Sequence, residues 1–95
     1  MPEKKLLEWS PRSERNVRRI RAYIATDNPK AAQDVVDEIV ISAAGLRNFP
    51  LIGKLSDAAG VRELVLAKYP YTLIYRVSPD KVRVVAVLHQ SQDHA

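Results

Sequence analysis

Cysteine is missing from all 95 residues. That removes disulfide frameworks and thiolate metal sites, and it leaves stability to packing alone. The reducing cytoplasm is the simplest compartment for such a chain. Long apolar runs are missing too. None approaches the ~18 residues that span a bilayer, so no membrane partner is expected. Met1-Pro2-Glu3-Lys4-Lys5 leads straight into Leu6-Leu7-Glu8-Trp9, with no signal-type apolar stretch or small-residue cleavage site. Glycine is scarce, with three in the chain, and no Gly-rich phosphate loop is formed. No His/Asp/Glu cluster has metal-ligand spacing, and no Ser-His-Asp arrangement is present. Neither a metal nor a cofactor is expected.

What is present points to one globular domain covering residues 1–95. Hydrophobic residues make up 46% of the chain, too many for a disordered one. A core this small folds alone, though a bound partner could supply much of its stability. The net charge of +4 is unevenly placed. Up to Thr26 there are seven basic residues (Lys4, Lys5, Arg12, Arg15, Arg18, Arg19, Arg21) against three acids (Glu3, Glu8, Glu14). Asp27 to Asn48 is net acidic, and the remainder is mildly basic. The asymmetry fits an acidic partner, protein or nucleic acid, and equally fits a solvated basic helix face.

The coarse order is β-α-α-β-β-β. Lys4 to Trp9 reads as a strand. Ser10-Pro11 is a cap followed by proline at the first helical position, where the absent N–H costs nothing. Val17, Ile20, Tyr23 and Ile24 share one face of the helix that follows, with Arg12, Arg15 and Arg19 elsewhere on it. Asn28-Pro29 repeats the start signal. In the second helix Ala32, Val35, Val36, Ile39, Ala43 and Leu46 form the core stripe, and Gly45 and Pro50 end it. The short connection makes the two helices an antiparallel hairpin. Pro50 to Gly60 reads as a loop. Beyond it the period becomes two, giving strands at Val61 to Ala67, Tyr71 to Ser78 and Val82 to His89. Ser78-Pro79-Asp80-Lys81 is the turn between the last two, with Pro79 where a type I turn favours it. Trp9 is expected in the core. His94 lies in a tail expected to fray.

An even-length connection pairs Val77 with Val82, Tyr75 with Val84, Leu73 with Ala86, and Tyr71 with Leu88, which gives one apolar face to carry the helices. The other face then pairs Arg76 with Arg83, Ile74 with Val85, and Thr72 with Val87. Two opposed guanidinium groups cost stability unless a partner bearing carboxylates or phosphates relieves them, or both splay into solvent. The mixed stripe of Ile74, Val85, Val87, Arg76 and Arg83 therefore suits a second chain.

Tyr23-Ile24-Ala25, Asn28-Pro29-Lys30-Ala31-Ala32 and Leu46-Arg47-Asn48-Phe49-Pro50 come first in a series of short segments. Gly60-Val61-Arg62-Glu63-Leu64-Val65, Tyr69-Pro70-Tyr71, Ile74-Tyr75-Arg76-Val77 and Leu88-His89-Gln90-Ser91-Gln92-Asp93 complete it. In this order and spacing they resemble the ParE/RelE superfamily of bacterial toxin–antitoxin toxins over nearly the whole chain. The Leu-His-Gln-Ser-x-Asp ending is similar to the ParE branch in particular. The resemblance implies an α+β fold, with an N-terminal helical hairpin packed on one face of a mainly antiparallel sheet. It also implies a cytoplasmic bacterial toxin of a plasmid-stabilisation system, held inactive by a cognate ParD-like or other small acidic antitoxin.

ParE-like members inhibit DNA gyrase, whereas RelE-like members cleave mRNA in the ribosome. A metal-free nuclease needs a cation at the phosphate and a proton donor. The arginine that RelE-like nucleases place early in the third strand is here Thr72, within Tyr71-Thr72-Leu73-Ile74-Tyr75. Arg62, Arg76, Arg83 and His89 are the residues left for a nuclease, with Lys54 and Lys68 beside them; His89 could act as acid or base or simply be a bonded edge residue. The expected partner-binding set is Arg12, Arg15, Arg19, Ile74, Arg76, Arg83, Val85, Val87, His89 and Gln90.

Overall fold

The computed structural model describes residues 4–92. Asp93, which ends the Leu-His-Gln-Ser-x-Asp motif, and His94 lie outside the described residues. The order is β1 (Leu6–Trp9), α1 (Pro11–Ala25), α2 (Pro29–Gly45), β2 (Lys54–Leu55), β3 (Val61–Val65), β4 (Tyr71–Val77) and β5 (Lys81–His89), followed by one 3-10 turn (Gln90–Gln92). The expected α+β fold is present: a helical hairpin packs on a five-stranded sheet of order β1-β5-β4-β3-β2. The sheet is antiparallel except for β1, which runs parallel to β5.

Both helices begin as their sequences dictate. The Ser10 hydroxyl accepts the Ser13 N–H at 3.0 Å and the Asn28 side chain accepts the Ala31 N–H at 3.1 Å, each followed by proline at the first helical position. Helix α2 buries Ala32, Val35, Ile39, Ala43 and then Leu46, one stripe facing the sheet. From α1, Val17, Ile20 and Ile24 pack against the same core. Tyr23 does not. At 81% exposed it lies outside the stripe assigned to it from spacing. Trp9 is half-buried and packs on the core as expected.

The β4–β5 connection has the expected turn, with Ser78 N–H donating to Lys81 O at 2.9 Å. Its register is as anticipated only near that turn: Val77 pairs with Val82, Arg76 with Arg83, and Tyr75 with Val84. Between Ile74 and Tyr75 the register slips by one, and Val85 is the extra residue of a β-bulge. Beyond it Ile74 pairs with Ala86, Leu73 with Val87, Thr72 with Leu88, and Tyr71 with His89. These four pairs correct the uniform register expected from the sequence. Val87 consequently joins the helix-side core with Leu73, Tyr75, Val82 and Val84, and it does not share a stripe with Ile74 and Val85.

The bulge is accommodated by residues at the start of α1. Strand β1 accompanies β5 only as far as Val84. Past that point β5 has lost its neighbour, and two α1-side residues take over. The Ser10 hydroxyl donates to Val85 O at 2.7 Å, and Asn16 Oδ1 accepts the Val87 N–H at 3.0 Å. Backbone groups that would otherwise be left unpaired beside the helix are thus satisfied.

At the other edge the loop expected between Pro50 and Gly60 contains β2, whose Lys54 and Leu55 pair with Glu63 and Arg62. Strand β3 ends at Val65, two residues short of the expected Ala67.

Candidate functional site

Helix α1 carries Arg12, Arg15, Asn16, Arg19 and Tyr23 along the side that borders the ends of β4 and β5. The bulge brings His89, at the far end of β5, opposite Tyr71 of β4, and both line the space beside that side of α1. Between them lies a groove of about 560 Å³, which Ile20, Val87 and Leu88 also line. Among the described residues no carboxylate lies within ion-pairing distance of Arg12, Arg15 or Arg19. Three guanidinium groups thus border an apolar floor, an arrangement that attracts an anionic, partly apolar ligand.

His89 stacks edge-on against Tyr71, with ring centroids 5.4 Å apart and planes at 87°. Its Nδ1 accepts the Ser91 N–H at 3.1 Å and lies 2.8 Å from the Ser91 hydroxyl. Tyr71 is nearly buried, and burial raises its phenol above the usual range, with Tyr23 adding a smaller push in the same direction.

The residues singled out from sequence fall into separate places. Arg12, Arg15, Arg19, Val87 and His89 meet in the groove. Gln90 follows directly in the 3-10 turn, its N–H bonded to Pro70 O at 2.8 Å. Arg76 and Arg83 are directly opposed, as expected, but each already has a partner within the chain. Arg83 forms an ion pair with Glu8 of β1, which also holds Lys81 at 3.1 Å. Arg76 donates to Ala59 O at 3.1 Å. Their mutual repulsion is therefore relieved from inside the fold. Arg62 is held at a third place, donating to Gly53 O at 2.8 Å. Ile74 and the bulged Val85 are half-buried. Thr72 is fully buried, and its hydroxyl has no hydrogen-bond partner among the described residues.

Sequence reasoning missed Tyr23, Asn16 and Tyr71 as groove residues. The spacing of 12, 16, 19 and 23 was available as a helical stripe, and Tyr71 was placed on the helix-bearing face; the position of His89 beside it was not available, because it depends on the bulge. No group of three His, Cys, Asp or Glu residues among those described could hold a metal ion. None of the described helices is long and apolar enough to cross a membrane.

Residues 7–94 match the family model described as "ParE toxin of type II toxin-antitoxin system, parDE". The chain belongs to this family. Members are toxins of two-component systems, so a ParE-family toxin has an antitoxin as its counterpart. The Y4kP protein of Sinorhizobium fredii (strain NBRC 101917 / NGR234) is 38% identical over 94% of this ParE-family chain and 92% of its own length. Two proteins of Caulobacter vibrioides are also similar. Toxin RelE2 is 32% identical over 88% of this chain and 93% of its own, and Toxin RelE3 is 30% identical over 90% and 94%. A solved structure of the chromosomal ParDE toxin–antitoxin system from P. aeruginosa superposes with a TM-score of 0.80 at 22% identity. It covers 90% of this chain and 96% of that one, a likeness of fold.

Proposed function

We propose that this ParE-family toxin arrests growth by binding DNA gyrase, with no bond made or broken by its own side chains, and that its antitoxin restrains it by laying an acidic, amphipathic segment into the α1 groove. The observation that carries the first half is Thr72. The position at which RelE-like nucleases are expected to place a phosphate-binding arginine holds a fully buried hydroxyl. Arg62, Arg76 and Arg83 are each engaged on carbonyls or a carboxylate elsewhere, away from His89. A nuclease needs these groups to converge on one phosphate. The groove supports the second half, since its arginines suit carboxylates and its floor suits apolar side chains.

A supercoiling assay with purified toxin and gyrase tests the target. Inhibition at stoichiometric toxin is expected, and none at large excess sinks the gyrase reading. Charge reversal in the groove (Arg12→Glu with Arg19→Glu) is expected to weaken antitoxin binding about tenfold or more; unchanged binding places the antitoxin elsewhere.

A second reading, a ribosome-dependent mRNA endonuclease, is favoured by the similarity to Toxin RelE2 and Toxin RelE3 and by the presence of His89 among arginines. Discrete cuts in a defined message, made only in the presence of ribosomes, would support it.

A further inference from the structure

Strand β5 is held at its bulge in a way that a regular strand cannot be. Successive carbonyls of a strand point to opposite edges. Here Val84 O and Val85 O both face the start of α1, and one residue takes both. Ser10 N–H donates to Val84 O at 2.9 Å, and the Ser10 hydroxyl donates to Val85 O at 2.7 Å. Asn16 Oδ1 then accepts the Val87 N–H at 3.0 Å. Without the bulge, the alternation of the strand would turn Val85 O and the Val87 N–H toward β4. The two side-chain bonds therefore fit the bulged register alone. Burial does not select that register. Residues 84–88 are apolar throughout, so a slip by one exchanges one apolar side chain for another. A regular ladder would set Leu88 opposite Tyr71. The pair found there is His89 with Tyr71, and Gln90 N–H on Pro70 O at 2.8 Å continues the same register.

We infer that Ser10 and Asn16 are positioning residues for the α1 groove: they hold the extra residue in β5 and so set His89, in place of Leu88, against Tyr71. The value of that placement rests on the reading above, in which the groove takes the antitoxin. Bulges beside binding sites re-aim side chains in this way. The sequence shows what is overridden. A histidine stands where the apolar pattern asks for a leucine, and a local preference overruled beside a site marks a functional constraint. The groove's arginines belong to α1 and do not depend on the register. Its imidazole does, because both rings line the groove only when His89 opposes Tyr71. The Ser10 hydroxyl also accepts the Ser13 N–H at 3.0 Å. One oxygen thus starts the helix and clamps the strand, which ties the two walls of the groove together. Asn16 lines the groove as well, so direct contact with the antitoxin is the competing explanation of any effect it has.

The test removes both side-chain bonds with Ser10→Gly and Asn16→Leu, glycine being a tolerated helix start. In the free chain, wild type should give nuclear Overhauser contacts between the Tyr71 and His89 rings. In the double variant contacts between Tyr71 and Leu88 should replace them. Affinity for the cognate antitoxin should fall about tenfold or more, as the competent register becomes a minor population. Deletion of Val85 separates register from contact. A chain without the extra residue pairs Tyr71 with His89 and Leu73 with Val87 in a regular ladder that needs no clamp. In that background the same two substitutions should keep the ring contact and change affinity by less than about threefold. If the double variant does not fold, Asn16→Leu alone is compared in both backgrounds and should show both sets of contacts. Undiminished Tyr71–His89 contacts in the variants overturn the inference, because the register then holds without the clamp. A loss of affinity that deletion of Val85 does not rescue also overturns it, since Asn16 would then touch the antitoxin directly. The charge-reversed pair Arg12→Glu and Arg19→Glu is measured alongside. If that pair binds antitoxin as wild type does, the antitoxin reading of the groove fails, and the ring contacts in the free chain still decide whether Ser10 and Asn16 set the register.

Discussion

The Tyr75 phenol oxygen accepts the Gly53 N–H at 2.9 Å, and a Cβ on Gly53 would stand 2.5 Å from that same oxygen. The two residues are matched: the hydrogen bond exists because position 53 has no side chain. Glu63 O, at 2.7 Å from the same Cβ position, closes the other side. Gly53→Ala therefore has to move a backbone carbonyl of β3 as well as the phenol. We expect a loss of about 2–4 kcal/mol, read as a lower urea midpoint at unchanged slope.

Tyr75→Phe keeps the ring in the core and removes only the hydroxyl. It leaves the buried Gly53 N–H and the Pro50 carbonyl without their partner. A cost of about 1–3 kcal/mol is expected. Hydrogen exchange at the Gly53 amide should rise more than the global loss accounts for, because the loop loosens before the sheet does.

Burial raises the Tyr75 phenol above its ordinary range, opposed by the smaller effects of the Gly53 hydrogen bond and Arg62, and burial also raises Tyr71. A folded-state pKa above the unfolded one stabilises the fold fully below the unfolded value of about 10 and is lost as pH rises through the folded value. The melting temperature should therefore fall above about pH 10, and the fall should be shallower in Tyr75→Phe. Thermal melts from pH 7 to 11 check this. An equal slope in both proteins would remove Tyr75 as its source.

Glu8 is the carboxylate that separates Arg83 and Lys81 electrostatically from the rest of the sheet face. Both pairs are partly exposed, so Glu8→Gln should cost only about 0.5–1 kcal/mol. The sign of the salt effect is the sharper test. With Glu8 gone, Arg83 faces Arg76 uncompensated, and added salt should restore part of the lost stability by screening the repulsion.

Thr72→Val swaps a buried hydroxyl that has no partner among the described residues for a methyl of the same shape. Removing an unsatisfied buried polar group should raise stability by about 1 kcal/mol, visible as a Tm a few degrees higher. A decrease would show that the hydroxyl is bonded through water.

The helices were legible because their signals are local. Ser10-Pro11 and Asn28-Pro29 mark two starts within a few residues each, and the α2 stripe repeats over four turns. The turn at Ser78–Lys81 and the three pairs beside it were legible for the same reason. The bulge was not. Val84-Val85-Ala86-Val87-Leu88 is apolar throughout, so no alternation records which residue is extra, and what accommodates it, Ser10 and Asn16, lies some seventy positions earlier. Everything downstream followed that miss. Val87 went to the core, and His89 went to the groove beside Tyr71. On α1 the arginine stripe could be seen from spacing. The neutralisation of Arg83 could not, because it needs β1 to lie parallel beside β5, a pairing between Glu8 and a residue near the other end of the chain. Strand β2, at two residues, is too short to carry a period.

That parallel pairing has a consequence for how the toxin comes into being. Leu6 is matched to Lys81, and the groove joins the first helix to the last strand of the sheet. The residues of the helical hairpin precede those of β5, which supplies much of the groove's floor. The groove therefore exists only once β5 has been laid beside α1.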